Sequence, residues 1–249
     1  MPEPALRFTA VIRHAASVRL RRPVLDGVSL AVAPGECVGL AGVNGAGKTT
    51  LLKCLLDFVP LDGGSIAIHG IDHRQPPARA PLAYLPERFQ PPAYMTGAEF
   101  LRYTLALHGQ RWDDELCAGM VDTLQLDPAA LPLGVRRYSK GMTQKLGLAA
   151  CLLLEKTLYV LDEPASGLDP HARALFKAAL RRRRQAGAAV LMTSHALADI
   201  DETCDRIAIL HDGAIRFDGS PAACRAHYGT AALETAFLGA IGASTVPAP

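Results

Sequence analysis

Gly42-Val43-Asn44-Gly45-Ala46-Gly47-Lys48-Thr49 is the stretch on which the fold turns. Its glycines at 42 and 47, followed by Lys48 and Thr49, carry the spacing of a phosphate-binding loop. The flanks agree, since Cys37 to Ala41 reads as a buried strand and Thr50 to Leu56 as a helix. Chemistry accounts for the residue types. The backbone N–H groups of Asn44, Gly45, Ala46, Gly47, Lys48 and Thr49 wrap a polyphosphate only where glycine permits conformations that other residues resist, and Thr50 continues the helix start behind them. Lys48 supplies positive charge, and Thr49 offers a hydroxyl to a Mg²⁺ ion that bridges the outer two phosphates. The expected ligands are ATP and Mg²⁺.

A second segment belongs with the first. Leu158-Tyr159-Val160-Leu161-Asp162-Glu163 is an apolar strand that runs into two acids, which places both carboxylates at the C-terminal edge of a sheet, where open α/β folds hold ligands. Asp162 is predicted to hold the metal's hydration shell, and Glu163 to orient or deprotonate the attacking water. His195 closes another such strand, Ala188 to Thr193, and reaches the same region as a polar contact or proton relay.

Outside these segments, the first eighty or so residues alternate short apolar runs with turn signals, at Ala5 to Ile12, Val28 to Val32 and Ser65 to His69. Beyond Pro91-Pro92 the pattern becomes helical, with Glu99 to His108 and Asp113 to Leu124 reading as amphipathic helices of a separate lobe. From Ser139 a helix to Leu154, the strand to Asp162, a helix Pro170 to Gln185 and the strand to Thr193 follow one another, which implies a parallel sheet covered by helices. A hairpin turns at Asp212-Gly213, a helix follows around Ala231 to Gly239, and Ser244 to Pro249 reads as a loose tail. The arginines at 181 to 184 read as the solvated face of a helix end.

Composition narrows the class. A chain of 249 residues with 49% apolar content buries a full core, and a formal charge of +2 is too mild for a nucleic-acid footprint, so no nucleic-acid partner is expected. The six cysteines lack Cys-x-x-Cys pairing and sit mostly in apolar runs, which predicts buried thiols in a reducing compartment. Met1-Pro2-Glu3-Pro4 has neither the positive start nor the apolar run of a secretory signal. The longest apolar stretch, Leu146 to Leu154, is far short of the twenty or so residues that cross a bilayer.

Taken together with Tyr138-Ser139-Lys140-Gly141-Met142, these residues resemble the ATP-binding-cassette ATPases over nearly the whole chain. That segment is similar to the family's signature loop, with Lys140 and Met142 as departures from its usual Leu-Ser-Gly-Gly-Gln. Ser139 caps a helix whose N-terminus makes a second phosphate-binding surface. In the family this surface, here Ser139 and Gly141, grips nucleotide held by the other protomer, and the loop similar to Ser166-Gly167-Leu168-Asp169 speaks across the interface, so Asp169 joins the expected nucleotide-binding set. The resemblance makes His195 the switch histidine. It aligns the family's metal-sensing glutamine with Glu87, while Gln90 lies three residues on, and it leaves His14 or Val18 where an aromatic stacks on adenine.

The same resemblance implies a P-loop NTPase (RecA-like) core with a parallel sheet, an N-terminal antiparallel β subdomain and an inserted helical subdomain. Residues 1–86 with 155–220 form the nucleotide-binding core and β subdomain, 87–154 the helical subdomain with the signature loop, and 221–249 the C-terminal helix and tail. Leu233 to Leu238 and the Tyr84-Leu85-Pro86-Glu87 variant resemble the bacterial export branch. That implies a membrane permease as a separate chain, a second ATPase subunit in a homodimer, and a peripheral place on the cytoplasmic face of the cell membrane. A small-molecule kinase would lack both the signature segment and the 166–169 loop, chromosome-organising relatives carry long coiled coils, and translation-associated relatives carry two cassettes. A soluble, non-transport ATPase of the same type that regulates another assembly is the remaining alternative.

Overall fold

The computed structural model describes residues 3–15 and 23–243. Strand β3 (Cys37–Ala41) is buried at all five positions, because it lies inside a six-stranded sheet with parallel neighbours on both sides. Before it come β1 (Leu6–Arg13) and β2 (Leu25–Val32); after it come α1 (Lys48–Leu55), β4 (Gly63–Ile68), β5 (Ile71–Asp72), α2 (Pro76–Arg79) and β6 (Leu82–Leu85). Helices α3 (Gly97–Leu107), α4 (Asp114–Thr123) and α5 (Lys140–Leu153) follow. The chain then runs through β7 (Leu158–Asp162), α6 (Pro170–Gln185), β8 (Ala189–Thr193), α7 (Leu197–Thr203), β9 (Arg206–His211), β10 (Ala214–Gly219), α8 (Pro221–His227) and α9 (Leu233–Ala240).

The large sheet has the order β10-β9-β3-β8-β7-β6, parallel throughout except for β10 at its edge. A smaller antiparallel sheet, β2-β1-β4-β5, lies against it. The alternation of strand side chains sorts the core into two layers. Leu158 and Val160 of β7 face the layer built from α1 and the antiparallel sheet, while Tyr159 and Leu161 face the layer built from α5, α6 and the helical region. The two sheets are also tied by His69 Nε2 and Thr157 Oγ1 at 2.9 Å.

The fold class agrees with expectation, and the six cysteines are free and buried. Several short elements escaped sequence reading: β5, β6, α2, α7 and α8 carry too few residues for a period to show. Helix α3 begins at Gly97, two residues before its expected start at Glu99, because Thr96 and Glu99 exchange side-chain and backbone bonds in a capping box. No helix among the described residues is long and apolar enough to cross a membrane. The tail from Ser244 lies outside the described residues.

The arginine run corrects one expectation. Arg181 and Arg182 are exposed, but Arg183 pairs with Glu155 and donates to Leu152 O, and Arg184 donates to Gly35 O and Thr203 O and pairs with Asp205. Arg184 thereby ties the end of α6 to the turn before β3 and to the end of α7. Replacing it with alanine leaves the carbonyls of Gly35 and Thr203 without that donor and takes the cation from Asp205, whose Oδ2 keeps only the Cys37 N–H, so Arg184→Ala is expected to cost about 1–3 kcal/mol in urea unfolding. Arg181→Ala should stay within about 0.5 kcal/mol of the parent; equal losses at both positions would contradict the clamp.

Candidate nucleotide site

Four parallel strands end at one level. Leu40 of β3 stands opposite Thr193 of β8, Thr193 opposite Asp162 of β7, and Leu161 opposite Leu85 of β6. The residues just past those ends are Gly42, Glu163, His195 and Glu87, which therefore meet at one edge of the sheet. A cleft of about 370 Å³ opens there, and its walls include Asn44 to Thr50, Glu87, Asp162, Glu163 and His195.

The loop between β3 and α1 packs so closely that glycine is required at two positions. A Cβ on Gly42 would come 2.5 Å from Leu210 O. Gly47 has φ +111°, and a Cβ there would meet Val24 O at 2.9 Å. Gly47 also caps α1 without a side-chain hydrogen bond, and no acid stands in the first turn. The helix start is thus left to an outside acceptor, as a phosphate would be. Lys48 Nζ donates to Gly42 O at 2.6 Å; burial lowers its pKa, opposed by Glu163, Asp162 and Glu87.

The acids are held by one hydroxyl. Thr193 Oγ1, fully buried, donates to Asp162 Oδ1 at 2.5 Å and accepts from Glu163 N–H at 3.0 Å. Burial pushes both carboxyls upward, in Asp162 against the Thr193 bond and in Glu163 against the His195 N–H and the charges of His195 and Lys48. Glu163 has φ +52°, a left-handed backbone unusual for a glutamate. His195 N–H donates to its Oε2 at 3.1 Å, and His195 Nε2 lies 3.3 Å from Oε1 without the alignment of a hydrogen bond. Glu163 Oε1 is therefore a buried acceptor with no hydrogen-bond donor.

The donor set fits Mg²⁺ held jointly with a polyphosphate. Among the described residues no three acid, histidine or cysteine side chains assemble a metal site alone. Mg²⁺ commonly takes one or two carboxylates and fills its shell with water and phosphate oxygens, which Thr49, Asp162 and Glu87 in one cleft permit.

Three of the expected residues stand elsewhere. Ser139 caps α5, its Oγ accepting from Met142 N–H, and Asp169 caps α6, its carboxyl lowered chiefly by the Ala172 N–H. Gly141 touches the same neighbourhood, since a Cβ on it would stand 3.2 Å from Gly167 O, and Lys140 reaches Ser166 Oγ at 3.3 Å. These residues form one surface with the 166–169 loop and take no part in the cleft's walls. Of the two alternatives at the helical lobe's mouth, Glu87 lines the cleft and Gln90 lines a separate hollow with Phe89 and Val135. His14 is bonded to Asp62 and is not among the cleft's walls, Val18 lies outside the described residues, and Val24 lines the cleft.

Thr193 and Val24 had escaped sequence reading as site residues. Neither declares itself in the sequence, since a threonine closing a strand and a lone valine before one carry no spacing of their own.

The family model described as "ABC transporter" matches residues 25–166. An ABC transporter ATP-binding protein of Synechocystis is 39% identical over 79% of this chain, and the Nod factor export ATP-binding protein I of Paraburkholderia xenovorans is 35% identical over 90% of this chain and 73% of its own length. The chain spans 56% of the Synechocystis protein and 59% of a Nostoc relative. A solved structure described as the ATP binding subunit of an ABC transporter superposes with a TM-score of 0.86, at 29% identity, over 95% of this chain and 99% of that one. A dimeric ATP-binding cassette in a post-hydrolysis state with ADP and Pi superposes at 0.78 with 18% identity, over 86% of this chain and 98% of that one, a likeness of fold. With phosphate loop, strand-end acids and signature segment all within one such fold, the chain belongs to the ABC transporter family.

Proposed function

We propose that this chain binds and hydrolyses ATP as the motor subunit of a transporter. The observation that carries the reading is the orphaned Glu163 Oε1, a buried carboxylate oxygen in the same cleft as the glycine loop, Lys48 and Asp162. An acceptor so placed suits a water whose proton it takes as the water's oxygen bonds to the terminal phosphorus and the bond to ADP's leaving oxygen breaks. Lys48 and the loop N–H groups, Asn44 to Thr50, hold the phosphates, and His195 keeps the Glu163 carboxylate aimed. Thr49, Asp162 and Glu87 would hold Mg²⁺, which would supply charge neutralisation on the phosphates.

Dimerisation follows from the separation of the two surfaces. Ser139, Gly141 and Asp169 are absent from the chain's own cleft, so a head-to-tail pair in which each signature surface covers the other's ATP is the arrangement that uses them. On this reading residues 1–86 and 155–220 hold nucleotide, 87–154 carry the signature surface, and 221–249 close the chain. The permease docks on an apolar groove of about 460 Å³ between α1, β6, α3 and α5, where Leu85, Phe89, Phe100 and Leu154 line the walls and Phe58 is 70% exposed. Export is the direction supported by Leu233 to Leu238 in α9 and by the likeness to the Nod factor export protein of Paraburkholderia. The place of work is then the cytoplasmic face of the membrane.

Glu163→Gln is expected to abolish ATP turnover while yielding a dimer with ATP on gel filtration; turnover at the parent rate would remove Glu163 from its role. Phe58→Glu should leave turnover of the isolated chain within about 2-fold, because the side chain is remote from the cleft, and should release the protein from membranes of the producing cell in a flotation assay. Unchanged flotation would place the docking surface elsewhere.

A further inference from the structure

Gln144 is a buried polar side chain just before the apolar run of α5. It is 5% exposed, on a turn of α5 whose neighbours Leu146, Leu148 and Ala149 are fully buried. Its Nε2 donates to Pro164 O at 2.8 Å, a buried bond across twenty residues of sequence. Pro164 follows Glu163, so the bonded carbonyl lies one peptide group beyond the strained residue. On the other side Glu163 N–H is fixed by Thr193 Oγ1 at 3.0 Å, and Glu163 O accepts from Ser166 N–H at 3.1 Å. A glutamate with φ +52° lies above an ordinary conformation and keeps it only where its neighbours over-determine it. Thr193 and Gln144 are the side-chain clamps on its two flanks.

The position of Gln144 along α5 gives the clamp a second end. Residues 147, 150, 151 and 154 of this helix line the apolar groove, and Gln144 precedes Gly147 by three residues on the same stripe. Gly147 lets β6 and the lobe close on α5, since a Cβ there would stand 2.8 Å from Leu85 Cδ1 and from Phe89 Cδ1. One rigid helix thus runs from the groove to the carbonyl beside the acid. Lys140 to Ser166 and Lys145 to Asp169, at 3.3 and 3.9 Å, add further ties between α5 and the loop after Glu163.

We propose that Gln144 is a positioning residue for Glu163, holding the acid's left-handed backbone through Pro164 O. The proposal rests on the reading of Glu163 as the group that activates water. Gln144 touches neither nucleotide nor metal in this scheme, so its loss should fall on turnover and spare binding.

The test is Gln144→Met, which keeps the length and removes the donor, alongside Gln144→Asn, which keeps the amide but falls one carbon short. In steady-state hydrolysis by the full chain, kcat should fall about 10-fold or more with KM for ATP within about 2-fold. In the Glu163→Gln background either change should leave the ATP-dependent dimer intact on gel filtration. Turnover at the parent rate in both variants would overturn the proposal, as would a parallel loss of kcat, ATP affinity and melting temperature, which marks a merely structural residue. Should Glu163→Gln itself still turn over ATP, the failure belongs to the reading of Glu163, and that control separates the two.

Discussion

The parallel register of β3, β8, β7 and β6 is the constraint on which the site depends. Each strand contributes one or two apolar layers to the core and then one chemical group beyond its last residue. Because Leu40, Thr193, Asp162 and Leu161 with Leu85 lie in linked register, a slip of one residue in any strand would exchange the core face for the opposite face and withdraw its group from the cleft. Packing of Val160 and Leu191 on one side, and of Tyr159, Leu161 and Met192 on the other, therefore fixes the chemistry as firmly as it fixes the fold.

What the register brings together is electrostatically tense. Asp162 and Glu163 are 3% and 9% exposed, and burial alone drives both toward the neutral form. Lys48 pulls against this from the loop and is itself lowered by burial, so the acids and the lysine support one another's charged states. Thr193 completes the set, because a hydroxyl can donate to one carboxylate and accept from the next residue's N–H at once. A valine of the same shape at position 193 would leave an acid and a buried N–H unpaired.

Sequence reading reached the parts of this site that carry a spacing or a strand-to-acid boundary: Gly42 to Thr49, Asp162 with Glu163, and His195. It reached Glu87 through resemblance. It passed over Thr193 and Gln144, although both lie in segments already quoted, because a threonine closing a strand and a glutamine inside a helix declare nothing until their partners 31 and 20 residues away are known. The arginine run shows the converse. Four like charges at a helix end suggest solvent, yet α6 turns Arg183 and Arg184 onto the carbonyls of α5, the turn before β3 and the end of α7. Linear pattern reports a helix's polarity but not which polar residues find acceptors in neighbouring loops. β6 was hidden for another reason: four residues between a proline and Pro86 are too few to display alternation.

The strain at Glu163 links these threads. A backbone near φ +52°, a carboxyl raised by burial and an oxygen without a donor are each unfavourable, and all three fall on one residue. Stability alone would favour a glutamine or glycine there, so the surrounding fold must hold what the residue would not adopt unaided. Thr193, Gln144 and the His195 N–H are three restraints from three different elements, β8, α5 and the turn after β8. Of these, α5 lies outside the sheet, so displacing it alters the acid's support without unfolding the sheet. On the proposed reading, a strained residue held between the sheet and α5 lets the groove on α5 and the loop after Glu163 both act on one oxygen atom.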